Sequence, residues 1–322
     1  MSGPGRRWII LPSGRFAALQ VLDGQDERVV GRKGIVTDLN GGYFIELLGP
    51  GRRPGTVRFR NRPDQGRQAV PAKARDIELE LVYPLIKGSE NIRAFYATSS
   101  DLYAIIPNKA ITADAIPLVT NFATRYIEGW GYFRDLNSDT RDAEGLGILD
   151  RRSTWRTRMR QLYERIVERG SLAPMDVPFY AIYDVGTYTF APYKVVWAEM
   201  AGTLRAAVIG GAVVPFGGGQ KPIVPDHKVY FAPFDDLDYA HYVCAFLNSE
   251  PLRTFIDGFT IKIQVGTLFR HVKLPEYDAA NPAHQDLARC SKEAHQILAA
   301  ANGDASISAQ TGQIDMVAAG LL

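Results

Sequence analysis

The chain changes hydrophobic period along its length, and that change divides it into a β-rich first part and a mixed remainder that ends in helices. From Trp8 to Phe59, short apolar runs rich in branched and aromatic residues (RRWIIL, AALQVL, GIVTDL, YFIELLG) predict strands, with Asn40-Gly41-Gly42 as a hairpin loop between the last two. Gly49 to Ala74 is dominated by Arg, Pro and Gly with few apolar positions, which reads as an exposed loop or linker. Strands resume in IELELVYPLI and DLYAIIP, expected to be neighbours, and again in FYAIYDVGTYTF, YKVVWAEM and VYFAPF.

Helical spacing appears over Asp114 to Gly129 and, more clearly, over Asp150 to Arg169. There Trp155, Met159, Leu162 and Ile166 share one face, with Ser153 as an N-cap and Gly170 as a stop. Leu237 to Phe255 predicts a helix interrupted at Asn248-Ser249-Glu250-Pro251. Asn281 to Ala300 predicts an amphipathic helix burying Leu287, Cys290, Ala294 and Leu298, before the short apolar ending IDMVAAGLL. The expected fold is α+β: a β-rich N-terminal region with its linker (1–78), a mixed β-rich domain with packed helices (79–278), and a C-terminal helix and tail (279–322).

With 322 residues and 46% hydrophobic content, the chain can bury a real core as one large domain or two modest ones. Lys and Arg exceed Asp and Glu by only 37 to 35, so any nucleic-acid surface has to be a local patch. Cys244 and Cys290 are far apart with no CxxC or His-rich companion, which points to a reducing, cytoplasmic setting. The longest uncharged run, Ala206 to Gln220, is broken by Gly210, Gly211 and Pro215 and predicts no membrane helix.

Catalytic chemistry finds no motif to stand on. An amino-methyltransferase needs an Asn/Asp-Pro-Pro-Tyr/Phe turn and a glycine-rich turn for S-adenosylmethionine. The chain has no Pro-Pro pair, and Asp184-Val185-Gly186-Thr187-Tyr188 offers a single glycine that reads as a strand turn. Gly217-Gly218-Gly219-Gln220-Lys221-Pro222 lacks the Gly-Lys-Ser/Thr ending of a phosphate loop and is expected to be a flexible loop. The five histidines show no metal-ligand spacing, and a Gly-x-Ser-x-Gly elbow is absent.

Candidate DNA contacts are therefore local. In the helix expected over Asp150 to Arg169, Arg152, Arg156 and Arg160 lie toward one edge of the Trp155 stripe, and Arg158, Arg165 and Arg169 flank the other. Guanidinium forks suit phosphates and guanine edges, although a solvated basic face on a core helix has the same pattern. The loop after Tyr83–Ile86 supplies Lys87, Ser89, Asn91 and Arg93. In TIKIQVGTLFRHVKLP a half-exposed strand would present Thr260, Lys262, Gln264, Thr267 and Arg270. Tyr193-Lys194 and His227-Lys228 are further phosphate candidates, and Asn91 and Gln264 are of the type that reads adenine.

The order of LVYPLIKG, DLYAIIPN, APYKVVW, KPIVPDHKVYF, YVCAFLNSEPLRTFI and VGTLFRHVKLPEYD resembles the C-terminal target-recognition region of N6-adenine DNA methyltransferases of restriction-modification and phage-defence systems. The closing pattern is also similar to type I specificity subunits. GRKGIVTDLNGGYFIELLG resembles the β segment joining catalytic and recognition domains in that group, where Gly-x-x-Thr-Gly-x-Asn is usual; here Asp38 replaces the second glycine. The resemblance implies that residues 79–278 recognise double-stranded DNA and present an adenine to a catalytic methyltransferase subunit or domain. It also implies that this chain holds no cofactor, S-adenosylmethionine being on that partner, with a nuclease or helicase as a further associate. A DNA-binding regulator or remnant without methylation, and an enzyme with an unrecognised site, are the rival readings.

Overall fold

A computed structural model describes residues 14, 16–108, 122–168, 170, 178–198, 204–258 and 265–322. Along the chain its elements are α1 (Phe16–Leu19), β1 (Arg32–Lys33), α2 (Asn40–Tyr43), β2 (Phe44–Pro50), β3 (Thr56–Asn61), β4 (Ala74–Glu78), β5 (Val82–Ile86), β6 (Ile92–Arg93), β7 (Tyr96–Ala97) and β8 (Tyr103–Ile105). There follow α3 (Phe122–Arg125), α4 (Ile127–Ser138), α5 (Arg160–Glu168), β9 (Tyr193–Ala198), β10 (Ala206–Ile209), β11 (Gly211–Val214), β12 (Gly219–Pro222), β13 (Val224–Pro225) and β14 (Val229–Phe234). The helices α6 (Leu237–Asn248), α7 (Glu250–Asp257), α8 (Pro282–Ala300) and α9 (Ser308–Gly320) complete an α+β fold.

A six-stranded sheet in the order β13-β5-β8-β2-β3-β4 is antiparallel except at β13 and β5. β5 and β8 are neighbours as the sequence predicts. The sheet draws strands from both sides of residue 78, so its core is continuous across the expected boundary. α4 covers it, with Tyr132 edge-on to Phe59 at 5.0 Å and its hydroxyl donating to the Gly42 carbonyl at 2.5 Å.

The supposed linker contains β3, paired on both sides by β2 and β4. Val57, Phe59 and Asn61 point inward while Arg58 and Arg60 point outward and pair with Asp76 on β4 (3.3 Å) and Glu46 on β2 (3.1 Å). Period-two burial outweighs an arginine-rich composition because only alternate positions need to be apolar. The same ion pairs neutralise much of the basic run.

A second, four-stranded antiparallel sheet in the order β1-β14-β9-β10 carries α6, with α8 packed against α6 and α9 against α8 in one shared core. The predicted interruption at Asn248-Ser249-Glu250-Pro251 holds, with α6 ending at Asn248. Ser249 caps α7 by accepting from the Leu252 amide, and Asn281 caps α8 by accepting from the Ala283 amide. Leu287, Cys290, Ala294 and Leu298 are all buried, and the apolar ending is itself helical, in α9.

Four further strand or loop expectations change. AALQVL is α1 and a following tight turn, burying Leu19 and Leu22 three residues apart. Asn40-Gly41-Gly42 begins α2 instead of a hairpin loop: β2 is paired on both sides, by β3 and β8, so no edge remains for GIVTDL. FYAIYDVGTYTF makes a single bridge at Tyr183, turns at Asp184 (φ 55°) and closes as a short helical turn over Thr187–Phe190. The glycines near 217–219 form the turn of the β11–β12 hairpin and are not a free loop. RRWIIL lies outside the described residues, as does the first half of the helix expected from Asp114; the described helices there are α3 and α4.

Candidate nucleic-acid interface

The segment Gly34–Asn40 is held where several elements meet. Ile35 bridges to Asp226 and Val36 to Tyr183, so the segment lies between the strand end at β13 and the loop before β9. A Cβ on Gly34 would fall 2.2 Å from the Asp226 carbonyl oxygen, so only glycine allows this approach. At Asp38 the backbone is left-handed (φ 54°), the conformation a glycine would adopt freely. Aspartate there does something glycine cannot: its carboxylate accepts from the Thr154 amide at 2.5 Å, capping the helix that continues as α5. This cap replaces the expected one from Ser153.

The return contact comes from Arg152. Its guanidinium donates to the carbonyls of Leu149 (3.1 Å), Thr37 (3.0 Å), Phe179 (2.6 Å) and Ala181 (2.8 Å), and it lies 5.3 Å over the Tyr43 ring. Loop and helix start therefore clamp each other. At 2% exposure Arg152 cannot reach a phosphate, which corrects its expected role as a DNA contact. It precedes the first helical turn, where backbone carbonyls of three segments converge and only a multi-donor cation satisfies them.

Above this clamp opens a cleft of about 470 Å³, lined by Asp38, Leu39 and Asn40, by the Asp64–Gln68 turn after β3, and by His227 and Lys228 after β13. Lys87 donates to the Gln65 side-chain oxygen, which brings the predicted strand-end lysine to this turn. Arg62 donates to Asp64 at 2.8 Å and holds its carboxyl down at about 2, so that acid is already neutralised. Arg67 and Lys228 are exposed, and no carboxylate among the described residues pairs with either. Beneath His227, Asp226 is fully buried; its Oδ1 is 2.6 Å from His227 Nδ1, and its Oδ2 has no hydrogen-bond partner. A carboxylate at Nδ1 favours the proton there and leaves Nε2 as the imidazole's free hydrogen-bonding atom.

Of the residues expected to touch DNA, His227 and Lys228 line this cleft, and Lys87 reaches one of its walls at Gln65. Asn40, Gln65, Arg67 and Gln68 join them from stretches read as a hairpin loop and a linker; the turn signal Pro63-Asp64-Gln65-Gly66 marks the second place. Arg156 and Arg160 are exposed on the helix that Asp38 caps, with Arg160 bound to Glu164 at 2.7 Å. Arg93 donates to the Gly303 carbonyl at 3.0 Å, tying β6 to the turn between α8 and α9, and Asn91 reaches Thr98 at 3.4 Å across the β6–β7 hairpin, so neither lines the cleft.

Lys194 is a second correction. It is fully buried on β9, donates to the Ala191 carbonyl at 2.7 Å, and burial lowers its ammonium to about 7. The side chains of Ser89 and Thr267, and all of Thr260, Lys262 and Gln264, lie outside the described residues. The described remainder of that expected strand, Val265–Arg270, is a helical turn, because adjacent Leu268 and Phe269 both bury, Phe269 at 5.7 Å from Trp197. An alternating strand would send them to opposite faces. Among the described residues no cluster of His, Cys, Asp or Glu could hold a metal, and no helix is long and apolar enough to cross a membrane.

Comparison with known proteins gives one sequence relative of note. Over 180 residues, 56% of this chain, the sequence is 26% identical to the type II methyltransferase M.NspV of Nostoc sp. (strain ATCC 29411 / PCC 7524). The chain spans 30% of that protein's length. No family model matches. Among solved structures, the type IIL restriction-modification enzyme MmeI in complex with DNA aligns with 93% of the chain and 33% of its own (TM-score 0.45, 7% identity). The type IIG restriction endonuclease BpuSI aligns with 75% of the chain and 26% of its own (TM-score 0.31, 10% identity).

Proposed function

We propose that this chain is a DNA target-recognition region of an adenine-N6 DNA methyltransferase of the restriction-modification or phage-defence type. The observation that carries the reading is the 180-residue similarity to a type II methyltransferase. The sequence adds that it contains no Pro-Pro pair, and therefore no Asn/Asp-Pro-Pro-Tyr/Phe turn. In this reading S-adenosylmethionine and the methyl transfer belong to a catalytic domain or subunit outside these residues, which takes the target adenine out of the duplex.

The cleft supplies the recognition chemistry. Arg67 and Lys228 meet phosphate oxygens and set the register, Lys87 braces the turn through Gln65, and the amides of Asn40 and Gln68 and the His227 imidazole offer donor and acceptor atoms to base edges. Arg152 and Asp38 are positioning residues that hold the loop. Titration of labelled S-adenosylmethionine against the chain, followed by addition of a catalytic methyltransferase subunit, is the test. No saturable binding by the chain alone and site-specific adenine methylation by the mixture are expected. Micromolar cofactor binding by the chain alone would place catalysis here instead.

A further inference from the structure

The β11–β12 hairpin ends in a turn that local chemistry does not favour. Phe216 and Gly217 occupy its centre with φ of +59° and +90°, closed by the Gly218 amide donating to the Pro215 carbonyl at 3.4 Å. Hairpins with two left-handed central residues favour Asn-Gly, because asparagine tolerates that backbone and a bulky side chain is strained in it. Here phenylalanine takes the asparagine place, and its ring is 44% exposed, outside every core cluster. A Cβ added at Gly217 or Gly219 would meet nothing within 4 Å, so these two positions face open space beside the described residues.

The hairpin's root, in contrast, is fixed. Lys221 donates to the carbonyls of Leu79, Glu80 (3.3 Å) and Val82 (2.9 Å) and lies 4.6 Å over the Tyr83 ring. A strained aromatic on an anchored arm thus belongs to no core cluster among the described residues. We infer that Phe216 is a stacking wedge that lies against a nucleobase unstacked in the bound duplex.

Charge favours DNA over an acidic or mixed protein surface as the occupant. From Met200 to Pro225 the chain carries neither Asp nor Glu, in a molecule whose charges otherwise nearly balance; of its two cations there, Lys221 is held inward at the root and Arg205 is exposed. The three glycines beside Phe216 let backbone approach a groove closely. From Phe216 the chain leads through β12 and β13 to His227. An extended run of that length covers at most about 40 Å, so a duplex of roughly a dozen base pairs can reach both tip and cleft.

This role rests on the DNA-recognition reading above, and the experiment separates the two. The full chain is used to select duplexes from a randomised pool, and wild type, Phe216→Asn and Phe216→Trp are compared on the selected duplex and on the same duplex with one central mismatch. Asparagine suits the left-handed backbone, so Phe216→Asn is expected to keep or raise thermal stability. It should lose roughly 5- to 150-fold in affinity with an unchanged salt slope, and lose any preference for the mismatched duplex. Phe216→Trp should bind as wild type does. Equal affinity of wild type and Phe216→Asn overturns the wedge, as does a loss that comes with a shallower salt slope. A wild-type chain that enriches no duplex overturns the DNA-recognition reading itself, and this role with it.

Discussion

In the helical half, Asn248 spends its amide on both backbone groups of Ala206 (3.0 and 2.8 Å), and His241 ends on Ser291 at 2.9 Å, where burial lowers the imidazole to about 4. In the cleft half, among the described residues, Asp226 keeps one buried oxygen without a partner, and Arg67 and Lys228 are exposed with no carboxylate paired to them. Both halves contain buried polar groups, so polarity alone does not mark a site. What differs is that Asn248 and His241 are satisfied within the fold, whereas Asp226 keeps a buried oxygen that the described fold does not satisfy.

The contrast can be broken most decisively at Arg152, a cleft-half residue whose capacity is all spent inward. Arg152→Ala leaves the four carbonyls it serves without their donor and is expected to cost about 3–5 kcal/mol, read from denaturant midpoints. A loss below about 1 kcal/mol would mean that the loop is not held by this side chain.

Lys194 offers the next largest effect and a pH signature. Its folded value of about 7 lies below the ordinary 10.5, so between those values the unfolded chain holds a proton that the folded chain does not. Stability from this group must then rise with pH across that window, with a slope of at most about 1.4 kcal/mol per pH unit, and the penalty is complete below pH 7. Lys194→Met should be more stable at neutral pH and lack this rise; parallel unfolding curves for both proteins would refute it.

A third test sharpens the difference between the halves directly. Replacing Arg67 and Lys228 together with alanine should lower DNA affinity by roughly tenfold and flatten the salt dependence by about two counterions. Stability should change little. Arg289→Ala, removing an exposed arginine that is paired with Glu293 in the helical half, is the control expected to leave the slope unchanged. If both proteins show the same slope, the cleft is not the phosphate-binding surface.

The smallest effect is expected at Asp38. Asp38→Gly relieves the left-handed backbone and loses the cap on Thr154, two terms of about 1 kcal/mol each that nearly cancel. Asp38→Ala keeps the strain and loses the cap, so it should be the less stable of the two. Thermal melts of the two variants side by side decide whether the aspartate acts as described.

How much of this was legible varies with the range of the interaction involved. The interrupted helix at Asn248-Ser249-Glu250-Pro251 and the stripe of Leu287, Cys290, Ala294 and Leu298 were readable because caps and i, i+4 neighbours are local. β3 was missed because the arginines between Val57, Phe59 and Asn61 outweighed, by composition, the alternation that buries those three. Lys87 and the His227-Lys228 pair are legible because each sits in a short polar pattern next to an apolar strand. Arg67 and Gln65 escaped because nothing within their own turn shows that it packs beside Asn40 and His227.

By itself, then, the amino-acid order determined the α+β class, the β5–β8 pairing, the C-terminal helices and the resemblance that points to DNA recognition. These depend on the period of apolar residues and on capping chemistry, which act over a few positions. Only the tertiary structure decided that Arg152 faces inward while Arg156 and Arg160 face solvent, that Lys194 is buried, and that three distant segments meet in one cleft. An arginine's helical position sets its angle around the axis. Whether that angle meets water or a set of unpaired carbonyls depends on what other segments bring there, and no local pattern encodes it.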